Sequence, residues 1–588
     1  MAEPKPLTAT PAPDIDWSRE GTPAAKDFDD IYFSVEGGLA ETETVFLKGC
    51  GLPERWKDIP LFTVGELGFG TGLNFLATWK LWQDTKPKAG RLHFISVEKF
   101  PFDREQLTKA LTAWPELEDF ATHLIEQWPG RVKGFHRLHF GDVTLTLIHD
   151  NVLAGLGGLS ANIDAWFLDG FSPAKNPDMW SPDVMQELAR LSAPQARLAT
   201  FTVASAVRTA LKDAGFSIEK KEGFGRKRHR LEAVYPGNRS VIKTAIKPII
   251  LGAGIAGASI AKAFIRRGII PTIIDADDET MASGNAAAII KPRIDLQDKP
   301  ESRFYLSAYL YALSAYHNSE VILHTGIKHI SKNSDEPSKL ARFHDAGGLS
   351  GEHFTPTKDG AFYDSGLVID PSKARAAWLV EAIRLKAHIS RIEKSDQGWA
   401  LYANDKAVAE GTHLIISAGF GVKSLGLGDR LNLRYSRGQL SWGEAIDGFD
   451  APLTFGGYGI PLKDGLLVGT THDRLDTRDP FEINWRDDMA NLDGLSDKLG
   501  ADVRPLGKKS RASIRVNTAQ TWPVVGELEP QQYILSGLGS RGFVFAPLLG
   551  EDLVSRIFKE PNAISNTAWT RFQAREKPNP KARPSTDR

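Results

Sequence analysis

One cysteine, Cys50, in 588 residues leaves no partner for an internal disulfide and no second thiolate for a multi-cysteine metal or iron–sulfur site. That scarcity points to a reducing compartment, and a cytoplasmic location is the expectation. Long apolar runs are missing too. The most apolar stretch, PIILGAGIAGASIAKAFI, is broken by Lys262 and followed by Arg266 and Arg267, which argues against a membrane span. The opening MAEPKPLTATPAPDIDW is proline-rich without an apolar core and does not read as a signal peptide. Charge of one sign is also lacking: 72 Lys and Arg face 73 Asp and Glu, so a polyanionic partner would have to meet a local basic face.

What is present is globular. The chain is 41% hydrophobic and 25% charged, and it is too long for one hydrophobic core, so two to four domains are expected. Basic residues do cluster locally. GFGRKRHRLEAVYPGNRSVIKTAIK, residues 223–247, holds eight Lys, Arg and His against one acid, and the tail KPNPKARPSTDR is basic as well. The first of these, set between glycines and aromatics, suggests an anionic partner.

Two strand–glycine–helix signals carry different messages. In LFTVGELGFGTGLNFLATWKLW, residues 61–82, an apolar run ends in Glu66, then Gly68, Gly70 and Gly72 alternate before a helical pattern. Such glycines let the backbone pass close to a ligand. An acid just before them would repel a pyrophosphate but suits a cation, and S-adenosylmethionine offers a sulfonium, an ammonium and no phosphate. LHFISVEKF ends a second strand in Glu98, placed for ribose hydroxyls. HFGDVTLTLI puts Asp142 at a turn, where it is expected to accept from an adenine amino group.

The second signal, residues 247–278, contains G-x-G-x-x-G at Gly252, Gly254 and Gly257, with Asp275 ending the next strand 23 residues after the first glycine. No acid precedes these glycines. A pyrophosphate at the helix N-terminus with ribose held by Asp275 is the direct reading, and it fits NAD and FAD alike. The small-residue loop MASGNAAAIIKPRID, with Gly284 and Asn285, allows close approach of a second planar group and favours FAD.

The order of these patterns implies an α/β protein: a Rossmann-like methyltransferase domain at 1–240, a linker at 241–248, and an FAD-binding α/β domain at 249–588. Its nucleotide-binding parts are expected at about 249–300 and 500–560, with a β-rich substrate subdomain between them. Residues 1–60 read as an extended arm followed by strands or a hairpin in DFDDIYFSVEGGLAETETVFL.

The series DFDDIYFS, GLAETETVFL, ELGFGTGLNF, SVEKFP, DAWFLDGFSPAKNPDMW, ATFT and GFGRKR closely resembles the N-terminal half of the bacterial bifunctional tRNA wobble-uridine modification enzymes of the MnmC type. GAGIAGAS, ASGNAAAIIKPR, SRGQLSW, GLGSRG and APLLGEDL resemble their FAD-dependent half, of the D-amino-acid/glycine-oxidase type. The resemblance implies two reactions on a uridine in the tRNA anticodon. The FAD half would remove the carboxymethyl group from a 5-carboxymethylaminomethyl side chain, and the other half would methylate the amine so exposed. The sequence departs from the pattern at Thr521-Trp522, where an acid is expected, and at His472, which stands for an aromatic.

A protonated alkyl amine cannot attack a methyl group, so methyl transfer needs a proton acceptor and in-line alignment. Asp169, at the strand end in FLDGFSPAKNPDMW, is the candidate base. Phe171 and Trp180 could stack on the uracil ring, with Lys175 and Asn176 on phosphate or base edges. Arg226, Lys227, Arg228 and Arg230 are the expected phosphate contacts. In the oxidase half, the substrate carboxylate calls for a buried arginine, with Arg541, Arg437, Arg511 and Arg515 as candidates. No metal site is expected. Two rival readings remain at this point: the same cofactors acting on a small free amine, and a non-catalytic tRNA-binding scaffold.

Overall fold

A computed structural model describes residues 5–18, 22–33, 37–225, 228–238, 245–277, 280–317, 320–469, 471–475, 479 and 481–575. Near the chain start, three two-residue strands at 15–16, 24–25 and 30–31 pair antiparallel. The expected strands or hairpin through GLAETETVFL are instead helical: Gly38–Glu41 runs directly into a π-helix, Thr42–Leu47. Thr42, Val45 and Phe46 are all buried, a helical i, i+3, i+4 spacing, and that burial decides the local structure.

The first large sheet contains β1 (Leu61–Leu67), β2 (Arg91–Glu98), β3 (Gly134–Phe140), β4 (Val143–His149), β5 (Ile163–Leu168), β6 (Ser192–Thr200), β7 (Ser217–Glu222) and β8 (His229–Val234). Their spatial order is β7-β8-β6-β5-β1-β2-β4-β3. The strands from β6 to β4 run parallel, while β3 and β8 are antiparallel to their neighbours. β1 is buried on both faces, as its nearly unbroken apolar sequence requires of a central parallel strand. The chain moves from the β2 side of β1 to its β5 side. The carboxyl ends of β1, β2, β4 and β5 therefore converge at a topological switch point, where open α/β sheets bind ligands.

The second half has a six-stranded sheet built from β9 (Pro248–Leu251), β10 (Thr272–Asp275), β11 (Ile383–Lys386), β12 (His413–Ile416), β13 (Val524–Glu529) and β14 (Gln532–Ser536), in the order β11-β10-β9-β12-β14-β13. The helix Ile255–Ile265 follows β9, and the long helix Gly542–Ile557 packs beside it. A separate ten-stranded sheet carries the long strands Gly360–Ile369, Arg434–Gly443 and Pro505–Asn517. Two features differ from the expected partition: β11 comes from the middle of the chain into the nucleotide sheet, and Pro505–Asn517 pairs with Arg434–Gly443 in the other sheet. β12 returns to the nucleotide sheet beside β9. The nucleotide unit resumes only at Val524.

The halves share a buried ionic contact. Glu551 lies 3.3 Å from Arg137, 2.5 Å from Arg266 and 2.8 Å from Arg267. Glu560 pairs with Arg267 at 2.8 Å and with Arg91 at 2.6 Å. Residues 5–10 cross the same boundary. Leu7 and Ala9 donate backbone N–H groups to Leu296 and Ala346, and Thr10 donates to Arg131.

Candidate active sites

The first cavity, about 1230 Å³, opens at the switch point of the first sheet. Gly68, Gly70, Glu98, Asp169, Phe171, Lys175 and Asn176 line it. Gly68 and Gly70 have φ of +89° and +53°, and a Cβ on Gly68 would lie 2.9 Å from the Asp169 carbonyl oxygen. That close approach lets the two loops share one edge of the cavity. Glu98 ends β2 with its carboxylate accepting from the N–H groups of Gly70 at 3.0 Å and Phe100 at 2.7 Å.

Asp169 is held from the side. Asn74 Nδ2 donates to Asp169 Oδ2 at 2.7 Å and to Glu66 Oε1 at 2.9 Å. Its Oδ1 accepts from Thr42 Oγ1 at 2.7 Å, so the amide orientation is settled by three partners. Glu66 is buried beneath this brace, its other oxygen accepting from Ser96 at 2.7 Å. Burial pushes its pKa well above the ordinary glutamate value, with Asp169 and Glu98 adding to the rise. Glu66 does not line the cavity; it reaches the site through Asn74, which corrects the expectation that it meets the ligand's charge directly.

Two further expectations are corrected. Asp142 sits in the β3–β4 turn, at the end of the sheet away from the cavity, where it accepts from Trp82 Nε1 at 3.1 Å and Gln83 at 3.2 Å and pairs with Lys86 at 2.8 Å. The cavity residues at the carboxyl end of β4 are Asp150 and Asn151. Trp180 is a core residue, 6% exposed, donating Nε1–H to the Phe171 carbonyl at 2.9 Å; a loop so rich in proline needs an apolar anchor. The aromatic rim comes from elsewhere. Phe28 stacks on Phe171 with centroids 4.6 Å apart, and Tyr32 meets Phe171 edge-on at 5.4 Å. Both belong to DFDDIYFS, whose paired aromatics were the available signal.

Lys175 contacts Asp29 at 3.1 Å, and Asn176 lies beside Met179. Phe224 and Gly225, between β7 and β8, line the cavity. Arg228 there is exposed, whereas Arg230 is paired with Glu232 at 2.8 Å. Arg226, Lys227 and the basic tail from 576 onward lie outside the described residues.

The second cavity, about 1050 Å³, runs along the carboxyl ends of β9, β10 and β14. Gly252 has φ +105°, and a Cβ there would come 2.5 Å from the Ser417 carbonyl oxygen. A Cβ on Gly257 would lie 1.9 Å from the Gly252 carbonyl oxygen, so helix and strand touch only because it is glycine. Gly254 is open toward the cavity apart from the Ser283 side chain. Ser283 Oγ accepts from the Ile255 N–H at 3.0 Å, at the helix N-terminus where phosphates bind. Asp275 accepts from the Ala253 and Asp277 N–H groups and lines the cavity.

The arginine candidates separate. Arg437 is paired with Asp487 at 2.5 Å, bonded to Gln439 at 2.7 Å, and does not line the cavity. Arg511 clamps the loop at 281–285, donating to Asn285 Oδ1 and, at 2.7 Å, to the Met281 carbonyl; Gly284 packs against its guanidinium and Asn285 faces the cavity. Both are thereby corrected as carboxylate ligands. Arg515 and Arg541 do line the cavity, and burial draws both pKa values below the ordinary arginine range. Arg515 contacts His472 at 3.3 Å. Thr521 and Trp522 lie in a turn closed on Thr518 and reach Arg293, outside the cavity lining. Lys291, which sequence reasoning passed over within IIKPR, also lines this cavity.

Both cavities fit the groups expected of them. The first brings carboxylates to glycine loops, as a sulfonium ligand requires. The second offers an open glycine turn, a ribose-side acid and buried cations, as FAD requires. No helix among the described residues is long and apolar enough to cross a membrane, and no group of three potential metal ligands occurs among them.

Residues 115–236 match the S-adenosyl-L-methionine-dependent methyltransferase family, and residues 248–556 match the FAD dependent oxidoreductase family. Two solved structures are similar over somewhat more than half of the chain. Iminodiacetate oxidase from Chelativorans sp. BNC1 is 18% identical with a TM-score of 0.46, covering 56% of this chain and 99% of that one. Glycine oxidase from Geobacillus kaustophilus is 16% identical with a TM-score of 0.46, over 56% and 98%. Whole-chain relatives are closer in sequence. The tRNA 5-methylaminomethyl-2-thiouridine biosynthesis bifunctional protein MnmC of Caulobacter vibrioides is 39% identical, covering 95% of this chain and 96% of that one. Its counterparts from Maricaulis maris and Thiobacillus denitrificans are 40% and 33% identical, over 96% and 92% of this chain and 96% and 94% of their own. With both half-chain families in order and such relatives matched nearly end to end, the chain belongs to the MnmC family of bifunctional tRNA 5-methylaminomethyl-2-thiouridine biosynthesis proteins.

Proposed function

We propose that this chain modifies the wobble uridine of tRNA in two steps. The FAD half removes the carboxymethyl group from 5-carboxymethylaminomethyl-(2-thio)uridine, and the other half methylates the resulting amine. The observation that carries the reading is the pair of unlike cavities, one edged with carboxylates and aromatics, the other lined by a glycine turn and buried cations. We place the reaction in the cytoplasm, where tRNA is modified and a lone thiol stays reduced.

Bound S-adenosylmethionine supplies an electrophilic methyl group, and bound FAD supplies a hydride acceptor. The residues do the rest. Asp169 takes the proton from the incoming amine while Asn74 donates to its Oδ2 and holds the carboxylate in place. Glu98 receives ribose hydroxyls, and the Phe28–Phe171–Tyr32 rim excludes water and presents ring faces and edges to the base. In the other cavity, Arg541 is the best placed cation for the substrate carboxylate: it is buried, faces the cavity, and no carboxylate pairs with it among the described residues. Arg228 and its basic turn would hold backbone phosphates beside the first cavity.

The test uses the purified protein, tRNA carrying the carboxymethylaminomethyl group, and labelled S-adenosylmethionine. Label should enter the tRNA only after flavin turnover. Asp169→Ala should abolish methylation and leave flavin chemistry intact, and near wild-type methylation in that variant would remove Asp169 from the role of base. Label entering small amines but never tRNA would overturn the substrate assignment.

A further inference from the structure

Hydride removal from the carbon beside an amine requires the nitrogen lone pair to be free, so an ammonium substrate must lose a proton inside the FAD cavity. An arginine cannot accept it, because a guanidinium stays protonated. Lys291 lines the same cavity beside Arg541 and is connected outward. Its Nζ lies 3.3 Å from His329 Nδ1 and 3.2 Å from Thr454 Oγ1, above the Tyr363 ring at 4.9 Å. His329 Nε2 lies 3.2 Å from Glu336 Oε1. The side chains of His329 and Glu336 are 5% and 27% exposed, so the line runs from a buried cavity to solvent.

We propose that Lys291, His329 and Glu336 form a proton exit from the FAD cavity. It rests on the amine-oxidising reading of that cavity. The substrate ammonium gives its proton to the neutral Lys291 amine. Lys291 then donates to His329 Nδ1, and the ring releases its Nε2 proton to the Glu336 carboxylate and so to water. The hydride goes to the bound flavin and the proton to solvent, so no further reactant is needed.

The relay uses the Nε2–H tautomer: Glu336 accepts from Nε2–H, and Nδ1, which lies 2.9 Å from the Thr454 hydroxyl and 3.1 Å from the Thr454 carbonyl oxygen, turns its lone pair to Lys291. Glu336 is itself oriented by the Lys332 N–H at 2.7 Å. The surrounding charges agree. Burial, with Arg541 next and Lys332 adding, lowers the Lys291 pKa to about 7 against a smaller opposing pull from Glu336. Burial, and then the neighbouring Lys291 charge, also lower that of His329. Burial raises the Tyr363 phenol, which stays neutral beside them. A lysine near 7 can both take and give a proton at neutral pH.

Two measurements test this. The first needs neither cofactor nor substrate: competitive acetylation of flavin-free protein, read by mass spectrometry at Lys291 across a pH series. Lys291 should titrate near 7, and its midpoint should fall in Glu336→Gln. Titration in the ordinary lysine range would overturn the relay. The second follows anaerobic bleaching of the bound flavin by tRNA carrying the carboxymethylaminomethyl group. The rate should rise with pH through about 7. Lys291→Met, with its flavin spectrum intact, should lose roughly a hundredfold. Lys291→Arg should not restore the rate, and imidazole should rescue His329→Gly. Full rate in Lys291→Met, rescue by arginine, or a His329→Gly variant indifferent to imidazole would each overturn the relay. Failure of the wild-type protein to bleach with this tRNA would count against the substrate reading, and the cofactor-free titration of Lys291 would still decide the relay.

Discussion

Glu66 shows how one buried carboxyl can serve a site it never touches. It is enclosed by Asn74 and Ser96, and burial raises its pKa well above the usual value. The folded chain therefore holds that proton to higher pH than the unfolded chain, whose glutamates titrate near 4.3. The sign follows directly: the favourable contribution is present below the unfolded value and is lost as pH rises through the folded one. Glu66→Gln removes the ionisation, accepting from Asn74 through its oxygen and donating its NH2 to a turned Ser96 hydroxyl. Its melting temperature relative to wild type should climb, on the order of a few degrees, as pH rises above the unfolded value of about 4.3. A pH-independent difference would show that Glu66 is ionised in the fold. The carboxyl at position 66 was legible in the sequence as a strand-end acid. Its burial was not, because only the tertiary approach of Ser96 and Asn74 turns it away from the cavity. Asp142 misled for a related reason: a turn acid on the wrong end of a strand looks the same in sequence as one on the right end.

At the level of elements, the helix Leu73–Thr85 is the crossbar of the methyl-transfer site. It starts at Gly72, whose φ of +78° turns the chain out of the glycine loop. Asn74, in its first turn, then ties the ends of β1 and β5 to the π-helix at Thr42. Asn74→Leu removes all three bonds at similar volume. The methylation rate should fall about tenfold to a hundredfold, as expected of a reacting group displaced by an ångström, with cofactor affinity changed less. Unchanged turnover would mean that Asp169 needs no brace. Both strand–glycine–helix units were readable because glycine spacing and apolar runs are local features. The aromatic rim from Phe28 and Tyr32 and the β11 strand were not, since each joins its site or sheet across long stretches of chain.

The whole molecule is joined by charge. Glu551 and Glu560 sit among Arg91, Arg137, Arg266 and Arg267, with Arg137 and Glu551 side chains almost wholly enclosed. Despite its burial, Arg267 and Arg266 hold Glu551 well below the ordinary glutamate range. Removing one partner leaves buried charge uncompensated, a loss of about 3–5 kcal/mol. Glu551→Gln should lower the urea midpoint by that measure, and flavin release should coincide with unfolding of the methyltransferase half. Two separate transitions, unmoved by the substitution, would show that the halves are energetically independent.

The strap formed by residues 5–10 has a bearing on how the chain is made. Leu7 is buried in the core of the second half and bonded to Leu296, yet a ribosome produces it long before Leu296 or Ala346 exists. During translation that early segment, with Leu7 as its apolar anchor, waits without its receptor while the methyltransferase sheet condenses behind it. The final seal of the two-enzyme body is thus a late event in biosynthesis, set by the emergence of the flavin half.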